Sequence, residues 1–78
     1  METIKVAILG FGTVGQGIYH IINEKKHQFK EQLGYELEVA KILVTNTERE
    51  RVAGTKHLLT KDINEVLAVP GLQVVFEA

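Results

Sequence analysis

The chain has 78 residues, fewer than the ~100–150 that are usual for one domain, so we expect either a fragment of a larger domain or a domain that needs a partner. Its formal net charge of −1 at pH 7 gives no electrostatic reason to expect nucleic acid or an anionic membrane as a partner. The absence of cysteine excludes a disulfide framework and a thiolate nucleophile, and no apolar run in the sequence is long enough to span a bilayer.

The first predicted element is a buried strand over residues 4–9, and a glycine turn and a helix follow it. The turn has glycine at positions 10, 12 and 15, which is the spacing of the dinucleotide-binding fingerprint. In that fingerprint Gly10 permits a tight turn, Gly12 leaves room for a pyrophosphate against the backbone, and Gly15 lets the helix pack closely on the strand. The same spacing also occurs as an ordinary glycine turn in α/β proteins. The strand before it and the helix after it favour the dinucleotide interpretation.

A long helix is predicted over residues 13–33, directly after the glycines. Its apolar side chains form one stripe at helical spacing, which consists of Val14, Ile18, Ile21, Ile22, Phe29 and Leu33. Because the first N–H groups of a helix point at bound phosphates, we expect Thr13 both to cap this helix and to bond a phosphate. Gly34 is a natural C-terminal stop.

Two short units follow the long helix. A second strand is predicted over residues 37–45, with polar and apolar residues alternating at its start. A Thr-x-x-Glu capping box then predicts a short helix that begins at Thr47. Residues 57–60 are predicted to form a brief third strand.

The last part of the chain predicts one more helix and one more strand. Asp62 is the expected N-cap of the helix, and residues 69–71, which include Pro70, are expected to end it. The fourth strand is predicted over residues 72–77. The side chains expected to be buried in it are Val74, Val75 and Phe76.

The alternation of strands and helices predicts an α/β fold with a parallel sheet of strand order 3-2-1-4. This arrangement is the first half of a Rossmann-like, doubly wound sheet, so we expect residues 1–78 to be the N-terminal part of a dinucleotide-binding domain. Ligands of such sheets bind at the carboxyl ends of the strands, at the switch point between strands one and four. Gly10 and Ala78 are both expected to lie there.

The residues after strand two bear on the choice of cofactor. In NAD binders an acidic residue at this point bonds the ribose 2′-OH, but here the strand ends in Thr45 and Asn46. Asn46 can bond a hydroxyl or a phosphate, and Arg49 and Arg51 follow closely. Arginine suits a 2′-phosphate because it is always charged and bonds in bidentate fashion. The sequence therefore favours NADP, with NAD still usable, and the alternative for both arginines is a solvated position beside neighbouring glutamates.

No catalytic or metal-binding residue is assigned from the sequence. The histidines at positions 20, 27 and 57 have neither metal-ligand spacing nor Cys or Asp partners, so we expect them at the surface. Glu77 ends a strand near the expected nicotinamide position but has no visible base partner.

Four stretches carry a family resemblance, namely residues 6–17, 41–44, 59–62 and 74–78. Over these stretches, which extend along nearly the whole chain, the sequence resembles the amino terminus of homoserine dehydrogenase. The resemblance implies an oxidoreductase that interconverts aspartate semialdehyde and homoserine with NADPH or NADH. This reaction lies on the route to threonine, methionine and isoleucine.

The resemblance also implies how the site is built. The backbone around Phe11, Thr13 and Val14 is expected to hold the dinucleotide. A basic residue often follows strand two directly in the family, whereas this chain has Thr45 there. The family's catalytic lysine and acidic residues lie in later segments, which also bind the small-molecule substrate. The full-length protein is expected to be cytoplasmic and a dimer or larger.

Two alternative functions stay open on the sequence alone. One is a regulatory nucleotide-sensing module, which usually has an acid at the end of strand two and a shorter first helix. The other is a related dehydrogenase that acts on another small amino or oxo acid. Substrate chemistry is determined downstream of these residues, so they do not separate the two dehydrogenases.

Overall fold

The computed structural model describes residues 2–49 and 52–78, and these form one parallel sheet with helices against it. The strands are β1 (Glu2–Leu9), β2 (Tyr35–Leu43), β3 (Leu59–Thr60) and β4 (Leu72–Glu77). The helices are α1 (Thr13–Glu24), α2 (Lys26–Leu33) and α3 (Ile63–Leu67), with a 3₁₀ helix at Lys56–Leu58. The sheet order is β3-β2-β1-β4 and all pairings are parallel. The predicted α/β fold and strand order are therefore confirmed.

A bulge in β2 sets which side chains share a face of the sheet. Val6 is paired with Val39, but the next residue of β1, Ala7, is paired with Lys41, so Ala40 is an extra residue in β2. Because side chains alternate along a strand, the extra residue moves every later side chain of β2 to the other face. Ile42 consequently lies on the same face as Ile8, its partner in β1.

The first helix covers that face. Ile8, Phe11, Ile42 and Val44 form a buried cluster, and Ile18 and Tyr19 of α1 pack against it. The rings of Phe11 and Tyr19 meet edge to face with their centroids 6.0 Å apart, a favourable aromatic geometry. Apolar burial between helix and sheet therefore holds the glycine turn, which includes Phe11, in place.

The opposite face carries α3. The bulge turns Lys41 toward this face, and its Nζ lies 3.8 Å from Oε1 of Glu65 in α3. Val66 of α3 is fully buried outside the cluster on the α1 side. Helices thus cover both faces of the sheet, as a doubly wound fold requires.

The prediction of one continuous helix over residues 13–33 is wrong, because the helix is interrupted at Lys25. Lys25 has ψ 15°, away from the helical value of about −42°. The last buried side chain of α1 is Ile22, and every residue from 23 to 28 is exposed. Because packing supplies most helical stability in proteins, these exposed residues do little to keep the turn after Lys25 aligned with α1. Of the predicted stripe, Val14, Ile21 and Leu33 are exposed.

The end of α2 agrees with prediction. Gly34 adopts a left-handed conformation with φ 79°, and its N–H donates to the carbonyl oxygen of Lys30 at 3.2 Å. Glycine is favoured there because it has no Cβ to oppose a positive φ.

The short helix predicted from Thr47 is not formed over the described residues 44–49. The side-chain oxygen Oδ1 of Asn46 instead accepts the N–H of Glu48 at 2.9 Å. Asparagine side chains compete in this way with backbone hydrogen bonding and favour turns over helices. Glu50, the second member of the predicted capping box, and Arg51 lie outside the described residues.

The third strand is shorter than the predicted range 57–60. A turn ahead of it, in which the N–H of Leu58 donates to the carbonyl of Thr55 at 2.9 Å, puts Lys56–Leu58 in a 3₁₀ helix. Only Leu59 and Thr60 pair with β2. Thr55 is buried and its Oγ1 donates to the carbonyl oxygen of Val52 at 2.7 Å, which stabilises this turn.

The fourth strand has the predicted bounds but not the predicted burial. Val75 and Phe76 are 46% and 37% exposed, and Val74 is half-buried. The physical reason is position: β4 is at the edge of the described sheet and pairs only with β1.

Within the two described stretches, no helix combines the length and the apolar character that crossing a membrane demands.

Candidate functional site

Main-chain hydrogen bonds align the carboxyl ends of the strands. The N–H of Gly10 donates to Leu43 O at 2.8 Å, which joins the glycine turn to the end of β2. The N–H of Ala78 donates to Leu9 O at 2.9 Å, which joins the other side of β1 to the end of β4. Open α/β sheets bind ligands at this edge. The predicted proximity of Gly10 and Ala78 is confirmed.

The three glycines of the turn differ in their surroundings. Gly10 has φ 98°, and a Cβ built on it would lie 2.6 Å from the carbonyl oxygen of Ala78. A Cβ on Gly15 would overlap the carbonyl oxygen of Gly10. A Cβ on Gly12 would meet no described atom within 4 Å outside Gly12 and its two chain neighbours, so packing against the rest of the fold does not require glycine there. Open space beside a glycine backbone is what the approach of a pyrophosphate needs.

The start of α1 offers backbone donors to this space. Its N-cap is Gly12, with no hydrogen bond from a capping side chain, so the prediction that Thr13 caps the helix is wrong. Thr13 is the first helical residue, one position too late for a cap, and both it and Val14 are exposed. The first N–H groups of a helix have no partner within the helix, and together with the helix dipole they attract anions.

The turn is also held from inside the helix. The side-chain amide Nε2 of Gln16 donates to the carbonyl oxygen of Phe11 at 2.9 Å, and the N–H of Gln16 donates to Gly12 O at 2.9 Å. Phe11 is 3% exposed, so its ring anchors the turn in the core while its backbone stays at the edge. Sequence reasoning did not identify Gln16 as a support of the turn.

A cavity of about 600 Å³ opens at this edge, between the glycine turn and the end of β2. Residues 10–12 line one part of it, and residues 43–45, Arg49 and Lys61 line the rest. Of the predicted cofactor-binding residues, Gly10, Phe11, Gly12, Thr45 and Arg49 are thus brought together.

The other predicted site residues lie around this cavity rather than on its wall. Thr13, Val14 and Gly15 begin α1, and Ala78 lies beside Gly10. Asn46 directly follows Thr45, and its side chain takes part in the turn described above. Contact of any of these residues with a cofactor stays a prediction.

Lys61 is the charged lining residue that sequence reasoning missed. It directly follows β3, so the available signal was a cation at the carboxyl end of a predicted strand. The predicted third strand, residues 57–60, ends at the same residue as β3, so this signal was present in the sequence and was not used.

No metal centre emerges from the geometry: in the described stretches, no three histidine or carboxylate side chains are grouped closely enough to hold an ion.

No protein-family model matches the chain, whereas curated relatives do. Homoserine dehydrogenase from Bacillus subtilis strain 168 is 36% identical over 78 residues, and that from Lactococcus lactis is 33% identical over 78 residues. These alignments cover 99% and 96% of this chain, and each covers 18% of the relative. The chain therefore spans less than a fifth of the length of these relatives.

Solved structures agree with the sequence comparison. The crystal structure of Staphylococcus aureus homoserine dehydrogenase at pH 7.5 matches with a TM-score of 0.90 and 33% identity. The match covers 99% of this chain and 19% of that one. The resemblance found in the sequence is confirmed by both comparisons.

Proposed function

We propose that this chain, which matches homoserine dehydrogenases along nearly its whole length, is the part of such an enzyme that binds the dinucleotide cofactor. The full-length protein would interconvert aspartate semialdehyde and homoserine, on the route to threonine, methionine and isoleucine. When bound, NAD(P)H would supply the hydride that reduces the semialdehyde, and NAD(P)+ would accept a hydride in the reverse direction. The substrate would be bound by segments outside this chain, in a cytoplasmic protein that is a dimer or larger.

The observation that carries the proposal is the contrast among the three glycines. Gly10 and Gly15 are required by contacts within the fold, whereas the space around Gly12 is open and borders the cavity. A residue that the fold leaves unconstrained, but that stands where a pyrophosphate would approach, fits a binding role. The N-terminal N–H groups of α1 would then donate to the phosphates, and Gln16 would keep Phe11 and the turn in shape.

The residues after β2 support NADP as the preferred cofactor, with NAD usable. No carboxylate follows β2 at the position where NAD binders have one; Thr45 stands there and Arg49 lines the same cavity. Asn46 and Arg49 are our candidates for contacts to a 2′-phosphate. Arginine is suited to this task by its permanent charge and its fork of donors.

The test is the substitution Gly12→Val in the full-length protein. A valine side chain would fill the space beside the turn, so binding of NADPH and NADH should fall below detection while the fold stays intact. Calorimetric titration measures the affinities, and circular dichroism checks the fold.

Gly17→Ala is the control, because Gly17 lies in α1 close to the turn and a Cβ there also meets no described atom within 4 Å apart from its chain neighbours and the backbone of its own helix. This control should bind both cofactors as the wild type does. Wild-type cofactor affinity in Gly12→Val would reject the glycine turn as the pyrophosphate site.

A further inference from the structure

Among residues 2–49 and 52–78, the Lys61 side chain has no hydrogen-bond or ion-pair partner, whereas its backbone is held firmly. The N–H of Val44 donates to Thr60 O at 2.8 Å, which fixes the end of β3 beside the end of β2. Thr60 is buried, and its Oγ1 accepts the N–H of Asp62 at 3.1 Å. Lys61 lies between these two anchored residues, with an exposed side chain on the wall of the cavity.

The order of the strands places Lys61 on the outer side of the cavity. Along the carboxyl edge the glycine turn follows β1, Thr45 follows β2 and Lys61 follows β3. Neighbouring strands are ~4.8 Å apart, so the backbone of Lys61 is ~10 Å from the glycine turn. A dinucleotide whose pyrophosphate lies at the turn directs its adenosine ribose to the end of β2. A phosphate on the 2′ position of that ribose would then lie near the ends of β2 and β3.

The charges on the cavity wall favour an anion at this place. Among the described residues that line it, Arg49 and Lys61 are cationic and none is a carboxylate. A phosphate monoester carries a charge of about −1.5 to −2 at neutral pH. The flexible four-carbon side chain of lysine lets its ammonium group reach such a phosphate. A shorter side chain directly after β3 would not extend as far.

We infer that Lys61 is a specificity-determining residue that contacts the 2′-phosphate of NADP(H) from the end of β3. The inference rests on the proposed function and deepens it, because it names a second cation besides Arg49 and assigns it to the phosphate alone. Lys61 would contribute nothing specific to NAD(H), which has a hydroxyl at this position.

The experiment compares two probes that differ only in the 2′-phosphate, adenosine 2′,5′-bisphosphate and adenosine 5′-monophosphate, in the full-length protein. Lys61→Met should weaken the bisphosphate about three- to tenfold, as expected for one charge-assisted hydrogen bond lost at an exposed position, and leave the monophosphate unchanged. Lys61→Arg keeps the charge and should restore most of the affinity. The measurements are dissociation constants from calorimetric titration at one fixed ionic strength, because exposed ion pairs depend on salt.

Lys56→Met is the matched control. Lys56 is an exposed lysine close by in the chain, but it pairs with Glu48 at 3.8 Å and does not line this cavity. It should change neither dissociation constant. Equal losses for both probes in Lys61→Met, or no loss for either, would overturn the inference while leaving the proposed function standing. If the wild type bound none of NADH, NADPH and the two probes, the inference and the proposed function would both be overturned.

Discussion

The three glycines of the turn, Gly10, Gly12 and Gly15, are subject to different structural constraints. Gly10 needs its left-handed φ, Gly15 has a backbone oxygen where its Cβ would be, and Gly12 has neither limit. Two of the three glycines therefore maintain the geometry of the strand, turn and helix. The third leaves the space into which a ligand can come.

Gly15→Ala should destabilise the fold even without a cofactor. The new methyl group would overlap the carbonyl oxygen of Gly10, and the helix would have to move away from β1. Overpacking of this kind costs ~1–3 kcal/mol in the free energy of unfolding. Urea denaturation followed by circular dichroism measures the loss.

Gly17→Ala is again the control, and here it should leave stability unchanged or raise it by up to ~1 kcal/mol, since alanine is the better helix former. Equal stability of Gly15→Ala and the wild type would mean that α1 does not pack on β1 as closely as the structure indicates.

Arg49→Ala should weaken NADPH and spare NADH in the full-length protein. A charge-assisted hydrogen bond contributes ~1.5–3 kcal/mol, and solvent screening at an exposed position lowers this, so we expect a loss of about three- to tenfold. Titration of both cofactors measures it. Lys30→Ala removes an exposed cation on α2, which does not line the cavity, and should change neither affinity. Losses of the same size for both cofactors would reject Arg49 as a discriminating residue.

At the scale of elements, periodicity predicted the strands better than the helices. The sheet order follows from the alternation of strand and helix patterns, and it is confirmed together with the bounds of β4. The break at Lys25 was not visible because the apolar spacing continues across it. The turn at Asn46 was missed because one side-chain hydrogen bond outweighs a capping pattern that resembles a helix start.

The parts of the candidate site that could be predicted are those where a sequence motif determines the backbone geometry. Glycine spacing after a strand locates the turn, and the end of β2 follows from it through pairing of parallel strands. Lys61 was missed although the strand before it was predicted to end at residue 60, as it does. That Lys61 lines the cavity also depends on the hydrogen bond from the N–H of Val44 to Thr60 O, which is a tertiary contact.

The smallest helix offers a test of local stabilisation. Asp62 is the N-cap of α3, and its Oδ1 accepts the N–H of Asn64 at 2.9 Å, as predicted from the sequence. Asp62→Ala should lower the free energy of unfolding by ~1 kcal/mol, because a helix of one turn has few other bonds and holds the buried Val66. Thermal unfolding of the two proteins shows the difference.

Thr13→Ala serves as the comparison for that experiment. Thr13 stands at the start of α1 but makes no side-chain capping bond, so its replacement should change stability by less than ~0.5 kcal/mol. Equal losses from Asp62→Ala and Thr13→Ala would contradict the assignment of the caps.

At the scale of the whole chain, the described residues would form more of a binding site for the adenosine half of a dinucleotide than for its nicotinamide half. The glycine turn and the ends of β1, β2 and β3 surround the cavity where the pyrophosphate and the adenosine ribose would bind. On the other side of β1, toward the expected nicotinamide, the described contacts at the edge come from Ala78 at the end of β4. The apolar residues of that region, Val75 and Phe76, are 46% and 37% exposed.

This imbalance predicts how the isolated 78-residue chain behaves. It should bind NADPH weakly, and ADP-ribose 2′-phosphate, which lacks the nicotinamide, should bind within about threefold of NADPH, a difference of ~0.7 kcal/mol. The chain should catalyse nothing, because the described edge presents backbone amides and cations but no paired acid and base. Titration of both ligands and the absorbance change of the cofactor with homoserine test the two statements. A much tighter affinity for NADPH than for the truncated ligand, or steady homoserine oxidation by the purified chain, would show that these residues bind the nicotinamide and substrate as well.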